Sequence, residues 1–340
     1  VRVTRTTIAA ALLLAAANGA PRPAGAAEVL KIATLAPQGS LWDTTLREMG
    51  ARWTRETAGR VELRIYPGGV AGDESDVVRK MRIGQFQGGA LSVVGLTELD
   101  PAFRVFQIPM FFESWDEVGR VLDRIRPQLE SRLRQQGYEL LLWGNGGWVH
   151  LFSREPIRSV DDLKKQKLFV WAGDDAQVQR WSRNGFHPVA LSATEVTMGF
   201  QTGMIDVVPT TPIAALTMQW FRQTKYMQGL GLAPLIGGVV VRSSAWKQIS
   251  EADRGLLLAA AADAEKKLDR EVPRQDEEAV EQMKARGLEV IEVSAADRAT
   301  WRQAAEEFAV EARESQVPPD ILQAARDVLA EARRGREGGP

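Results

Sequence analysis

Short apolar runs bounded by glycine and proline recur along this chain, and helical spacing fills the intervals between them. Val29–Leu35 is mainly apolar and has the length of a buried strand. Ser40 stands where a helix N-cap belongs, ahead of Leu41, Met49 and Trp53, and Gly59 closes that helix. Val61–Tyr66 alternates apolar and polar positions as a strand does, and Pro67-Gly68-Gly69 turns the chain. A second helix is predicted from about Glu74 to Ile83, ending at Gly84, and a third strand over Ala90–Val94. Alternation of this kind predicts an α/β fold with a largely parallel sheet.

Further along, Ser114 and Glu117 form a capping box that opens a helix running to Gln136 and stopped by Gly137. Leu140–Trp143 reads as a strand and leads into Gly144-Asn145-Gly146-Gly147. Ser-x-x-Asp starts three more helices, at Ser159/Asp162, Ser250/Asp253 and Ser294/Asp297. From Ser294 the pattern is helical to Arg334, broken at Pro318-Pro319, and residues 336–340 read as a disordered tail. Pro188–Pro212 packs three elements into one segment. Val189–Leu191 is a strand, Ser192 and Glu195 form a capping box, Gly203 ends the helix, and Met204–Val208 is a second strand stopped by Pro209.

The 340 residues suit two α/β units better than one core. The net charge is −1 and the basic residues are scattered, which leaves no electrostatic footprint for nucleic acid or for an anionic membrane surface. Cysteine is absent, which excludes disulfides, thiolate metal sites and a cysteine nucleophile. With two histidines, His150 and His187, a multi-histidine metal centre is excluded as well. At the N-terminus, Arg2 and Arg5 precede an apolar run from Ile8 to Ala17, followed by Ala24-Gly25-Ala26. This is the three-part pattern of an export signal over 1–26, and it predicts a periplasmic protein cleaved near Ala26.

Chemistry-bearing motifs are scarce. A G-x-S-x-G elbow is absent, and Gly144–Gly147 lacks both the dinucleotide fingerprint and the P-loop lysine. Those glycines read instead as a tight crossover whose backbone lies close to a ligand. Asp174-Asp175 follows Gly173 and reads as a helix cap or a ligand-hydroxyl acceptor. The pattern carries no enzyme signature and implies no cofactor or metal.

The Pro188–Pro212 segment, "YPGG" at Tyr66–Gly69, "IPMFF" at Ile108–Phe112, "REPIRSVDDLKKQKLFV" at Arg154–Val170 and "VRSSAWKQIS" at Val241–Ser250 occur in one order. In that order the chain resembles the extracytoplasmic solute receptors of TRAP-type transporters, the dicarboxylate-receptor family. The resemblance implies a two-lobe periplasmic binding protein fold, with a ligand cleft between the lobes and a long C-terminal helical segment along the back. Lobe I would comprise 28–149 plus 236–274, and lobe II 150–235 plus 275–335. It also implies a small-molecule ligand and a membrane transporter as partner, or an envelope lipid-handling system that borrowed the receptor.

In organic-acid receptors of that family, an arginine ending the "D-L-K-G-L-K-I/L-R-V" segment forks onto the ligand carboxylate. The matching position here is Phe169, and a second family arginine falls on Val149. The family asparagine falls near Thr210. The resemblance therefore places Trp42, Glu74, Trp148, Val149, Phe169, Trp171, Asp174, Thr210 and Trp220 at the ligand. A carboxylate buried among them would lack a charge partner, at a cost of several kcal/mol. The expected ligand is neutral and largely apolar or amphipathic: isoprenoid, sterol-like, fatty or aromatic. The alternatives are an organic acid held by a residue such as Arg104 or Arg180, an enzyme using Asp174 or Glu195 as base, and a scaffold with an empty cleft.

Overall fold

A computed structural model describes residues 27–173, 175–313 and 317–337. The export signal expected over 1–26, Asp174 and the tail after 337 lie outside the described residues. The strands are β1 (Glu28–Thr34), β2 (Val61–Tyr66), β3 (Gly88–Ser92), β4 (Tyr138–Ser153), β5 (Lys167–Trp171), β6 (His187–Leu191), β7 (Val207–Thr210), β8 (Tyr226–Gln228), β9 (Ala233–Arg242) and β10 (Glu289–Ile291). Their order is β2-β1-β3-β9-β4-β7-β5-β6, with β8 on the edge of β4 and β10 beyond β8. β1 lies parallel to β2 and β3, and β5 parallel to β6 and β7, as βαβ connections require. β9 runs antiparallel to β3 and β4.

The 16-residue β4 joins the two groups of strands. Tyr138–Val149 pairs with β9, whereas His150–Ser153 pairs with β7 and its last two residues also with β8. The change of partner coincides with a break in register between Asn145 and Trp148. Gly147 there has φ 103°, a backbone region that other residues rarely adopt. The strand expected over Leu140–Trp143 is thus the middle of a longer one that runs on through its glycines. A second departure is at Val93. Extended pairing stops at Ser92, whose hydroxyl accepts from Val94 N–H and caps a helix over Val93–Leu99. An apolar run alone does not separate a strand's end from a buried helix's start.

The longest helix, Glu251–Lys284, opens at Ser250, whose hydroxyl accepts from Asp253 N–H. The Asp253 carboxylate is turned onto Arg60, with contacts of 2.6 and 3.0 Å. Leu257, Ala261, Leu268 and Val272 pack with Leu46, Met49 and Trp53 of helix Leu41–Glu56, beneath β1 and β9. Beyond Pro273 the same helix changes company: Ala279 and Met283 lie in the core of Phe152, Phe200 and Ile205. One helix therefore spans both groups of strands. A third core, around Phe103, Phe106, Ile125 and Trp143, is closed by Ile321 and Leu329 of helix Pro319–Glu337. Among the described residues no helix is long and apolar enough to cross a membrane.

Candidate ligand-binding cleft

Several helix starts and strand ends meet where β4 crosses, and they enclose a cavity of about 180 Å³. Three indoles from three elements line it: Trp42 in the first turn of helix Leu41–Glu56, Trp171 at the end of β5, and Trp220 in a short 3-10 turn. Trp42 lies against the crossing itself. Its Nε1 donates to the Asn145 carbonyl at 3.0 Å, and a Cβ on Gly144 would overlap its ring. Leu35, Leu91, Ile213, Met218, Leu235 and Val272 complete an apolar wall.

Among the described residues, five of the six hydroxyl side chains in the wall, all but Thr210, are engaged locally. The Ser40 hydroxyl accepts from Asp43 N–H, Thr211 from Ala214 N–H, and Thr34 from Ala36 N–H. The Thr217 hydroxyl donates to the Ile213 carbonyl at 2.6 Å. Glu74 takes three bonds of 2.7 Å, from Ser92 N–H, the Ser92 hydroxyl and Gly95 N–H, and so closes the start of helix Val93–Leu99. Burial pushes its carboxyl above the ordinary range against the pull of those donors. Among the described residues no lysine, arginine or histidine lines the cavity.

The nine residues expected at the ligand divide into groups. Trp42, Glu74, Trp171, Thr210 and Trp220 meet on the cavity wall. Phe169 does not reach it: 1% exposed, it sits edge-on to Trp171 at 5.2 Å within the core of Phe152 and Phe200. Phe169 and Trp171 are two apart on β5 and share a face, but only the residue at the strand's end reaches the opening. Trp148 packs edge-on against Trp115 at 5.1 Å, on a separate recess with His150. Its ring needs Gly231 bare, since any Cβ there would overlap the indole. Val149 is occupied in the ladder, opposite Ala233, with its carbonyl accepting from Leu232 N–H. Asp174 lies outside the described residues.

Sequence reasoning missed Ile213 and Leu235, for which no motif exists, and also Asp276. That carboxylate accepts from Trp148 N–H and from Ile213 N–H, each at 3.0 Å, and so ties the crossing strand to the cavity wall. Burial lifts it from 3.8 to about 6. Arg104 lines a smaller recess that shares Glu74 and Trp171 with the cavity, alongside Asp73 and Gln107.

The family model of bacterial extracellular solute-binding protein family 7 matches residues 32–315. The chain belongs to that family. It is a solute-binding receptor, not an enzyme, and the resemblance to TRAP receptors read from the motifs is correct. A solute-binding protein of Chromohalobacter salexigens is 25% identical over 232 residues, 68% of each chain. The fold matches that of a TRAP periplasmic solute-binding protein from Ralstonia eutropha with bound (S)-2-acetolactate. The TM-score is 0.81 at 20% identity, covering 89% of this chain and 99% of that one. A Haemophilus influenzae protein of the same description, with bound L-gulonate, gives the same TM-score, identity and coverage. The two-lobe architecture expected from the sequence is therefore the fold of this family.

Proposed function

We propose that this family 7 receptor captures a small organic solute in the cavity at the β4 crossing and hands it to a TRAP-type membrane transporter, and that the buried part of that solute is largely apolar. The wall chemistry carries the reading. Three indoles and a set of aliphatic side chains surround the cavity, the hydroxyls of Thr34, Ser40, Thr211 and Thr217 serve local backbone, and the one carboxyl is already bonded three times. Covering apolar ligand surface there yields about 25 cal/mol per Å². An ionised carboxylate would be desolvated without a cation, at several kcal/mol. The basic-then-apolar N-terminal pattern supports a periplasmic setting.

A second reading rests on the relatives, and on that ground it stands first. The ligands named for the two compared structures, acetolactate and gulonate, are both acids. Nothing in the comparisons favours an apolar ligand. An organic acid here would need a cation outside the cavity wall, and Arg104, in the recess that shares Glu74 and Trp171 with the cavity, is a candidate.

Calorimetry separates the two. The protein is unfolded, stripped and refolded, then titrated with succinate, gulonate and acetolactate and, in parallel, with medium-chain alcohols and monoterpenols. The apolar reading expects micromolar affinity, about −8 kcal/mol, only in the second set. Micromolar binding of any of the three acids overturns it and establishes the acid receptor. In that case Arg104→Ala should abolish binding.

A further inference from the structure

Away from the cleft, the far end of the second strand group gathers positive charge. Arg154, Arg222, Lys225 and Arg286 line a recess of about 550 Å³ floored by Phe221 and Leu288, and among the described residues no aspartate or glutamate lines it. The register explains the gathering. Tyr226 of β8 pairs with both Ser153 of β4 and Glu289 of β10, so Arg154, Lys225 and the turn carrying Arg286 reach the same edge. Arg222 ends the 3-10 turn that leads into β8. Four cations in one recess are conspicuous in a chain whose net charge is −1.

The way these cations are held matters more than their number. The Arg286 guanidinium lies over the Phe221 ring at 5.8 Å, that of Arg154 over Phe200 at 5.8 Å, and the Lys225 ammonium over Tyr226 at 5.4 Å. A guanidinium shelved on an aromatic face is oriented through its plane, which leaves the N–H groups at its edge directed outward. Arg154 also donates to the Phe200 carbonyl, which fixes it further. Glu289 approaches Lys225 at 3.8 Å, both side chains more than half exposed, and such a contact is worth little in water. The helix end nearby does not oppose an anion strongly. Its Glu281, Met283 and Lys284 carbonyls are closed by the N–H groups of Ala285, Arg286, Gly287 and Leu288.

We infer that this recess is an anion-binding site for a phosphate group, separate from the solute cavity. A phosphate monoester carries a charge near −2 and three acceptor oxygens at neutral pH, which matches several forks better than a single carboxylate does, and a phosphodiester headgroup offers one charge and two free oxygens to the same forks. The group could come from a free phosphate ester or from an anionic lipid headgroup.

The protein without the export signal expected over 1–26 is titrated calorimetrically with inorganic pyrophosphate and sedimented with phosphatidylglycerol or phosphatidylcholine vesicles. Arg222→Ala/Arg286→Ala and Arg222→Lys/Arg286→Lys are run beside it. Both arginines are exposed, so the variants should melt as the parent does. Saturable pyrophosphate binding, weakened about tenfold or more by the alanine pair and less by the lysine pair, supports the site. Sedimentation with phosphatidylglycerol alone, lost in the alanine pair, assigns the phosphate to a headgroup, and pyrophosphate binding without it assigns a soluble ester. Binding of neither probe, or equal binding by the alanine pair, overturns the proposal.

Discussion

Gly144 leaves room for the Trp42 indole, and a single methyl group tests how much the cavity depends on that fit. An alanine there would push its Cβ into the Trp42 ring and against Leu268, and the ring is also close to Gly237 and tethered to the Asn145 carbonyl. Gly144→Ala should therefore cost about 1–3 kcal/mol, the usual penalty of overpacking. It should also red-shift tryptophan emission as the indole leaves its seat. Urea unfolding and fluorescence check both, and a variant within 0.5 kcal/mol of the parent, on the scale of a neutral surface change, would show that Trp42 is free to move. Gly147 has a different constraint. Its positive φ belongs to the bulge, and a side chain would meet the Asp276 carboxylate.

At the scale of elements, Asp276 couples three of them: the long helix that carries it, the crossing strand through Trp148, and helix Pro212–Thr217 through Ile213. Burial dominates its titration and raises it to about 6 from 3.8, partly offset by those two N–H donors. A carboxyl whose folded value is raised takes up a proton on folding between the two values. Its contribution to stability is complete below about pH 4 and is lost as pH rises through about 6. Asp269, two turns earlier, is also raised to about 6, by burial and then by Glu265, and acts with the same sign. Asp276→Asn should accordingly flatten the fall in melting temperature between pH 4 and pH 6 without removing it. An unchanged slope would mean that Asp276 titrates normally.

For the whole molecule, the two strand groups also touch opposite the β4 crossing. Asp73 caps helix Glu74–Arg82 through Glu74 N–H at 3.1 Å, and its other oxygen accepts from Ala193 N–H, on the loop after β6, at 3.2 Å. Gly69 and Thr194 lie side by side there. Asp73 lines the recess that adjoins the cavity, so a contact between the two strand groups at this point would slow the release of a solute held there. Asp73→Ser keeps a capping oxygen for the helix but is too short to reach Ala193. Stopped-flow displacement of a bound ligand should then show faster release, several-fold, with a small change in melting temperature. Equal release rates would exclude the contact as a clasp.

Much of this protein was legible along the chain because its signals are local. Ser40, Ser159 and Ser250 cap the helices their spacing predicts, the capping box at Ser192 and Glu195 forms, and β1, β2 and β6 follow their apolar runs. The order of short motifs was enough to identify the family. Depth along a strand is not a local property. Phe169 shares the face of Trp171, but neighbours brought in by the fold bury it one step short of the opening. Trp148 was expected at the ligand, and the strand's break in register turns it to a separate recess against Trp115. Glu117 shows the same limit in a cap. Ser114 accepts from its N–H as the box predicts, and its carboxylate both turns back to Glu113 N–H at 2.8 Å and takes Arg333, 216 residues away. Which residues meet at the cavity, and which cations meet at the far edge, were decided by strand pairing between distant segments, because chain separation sets no limit on spatial approach once the sheet is built.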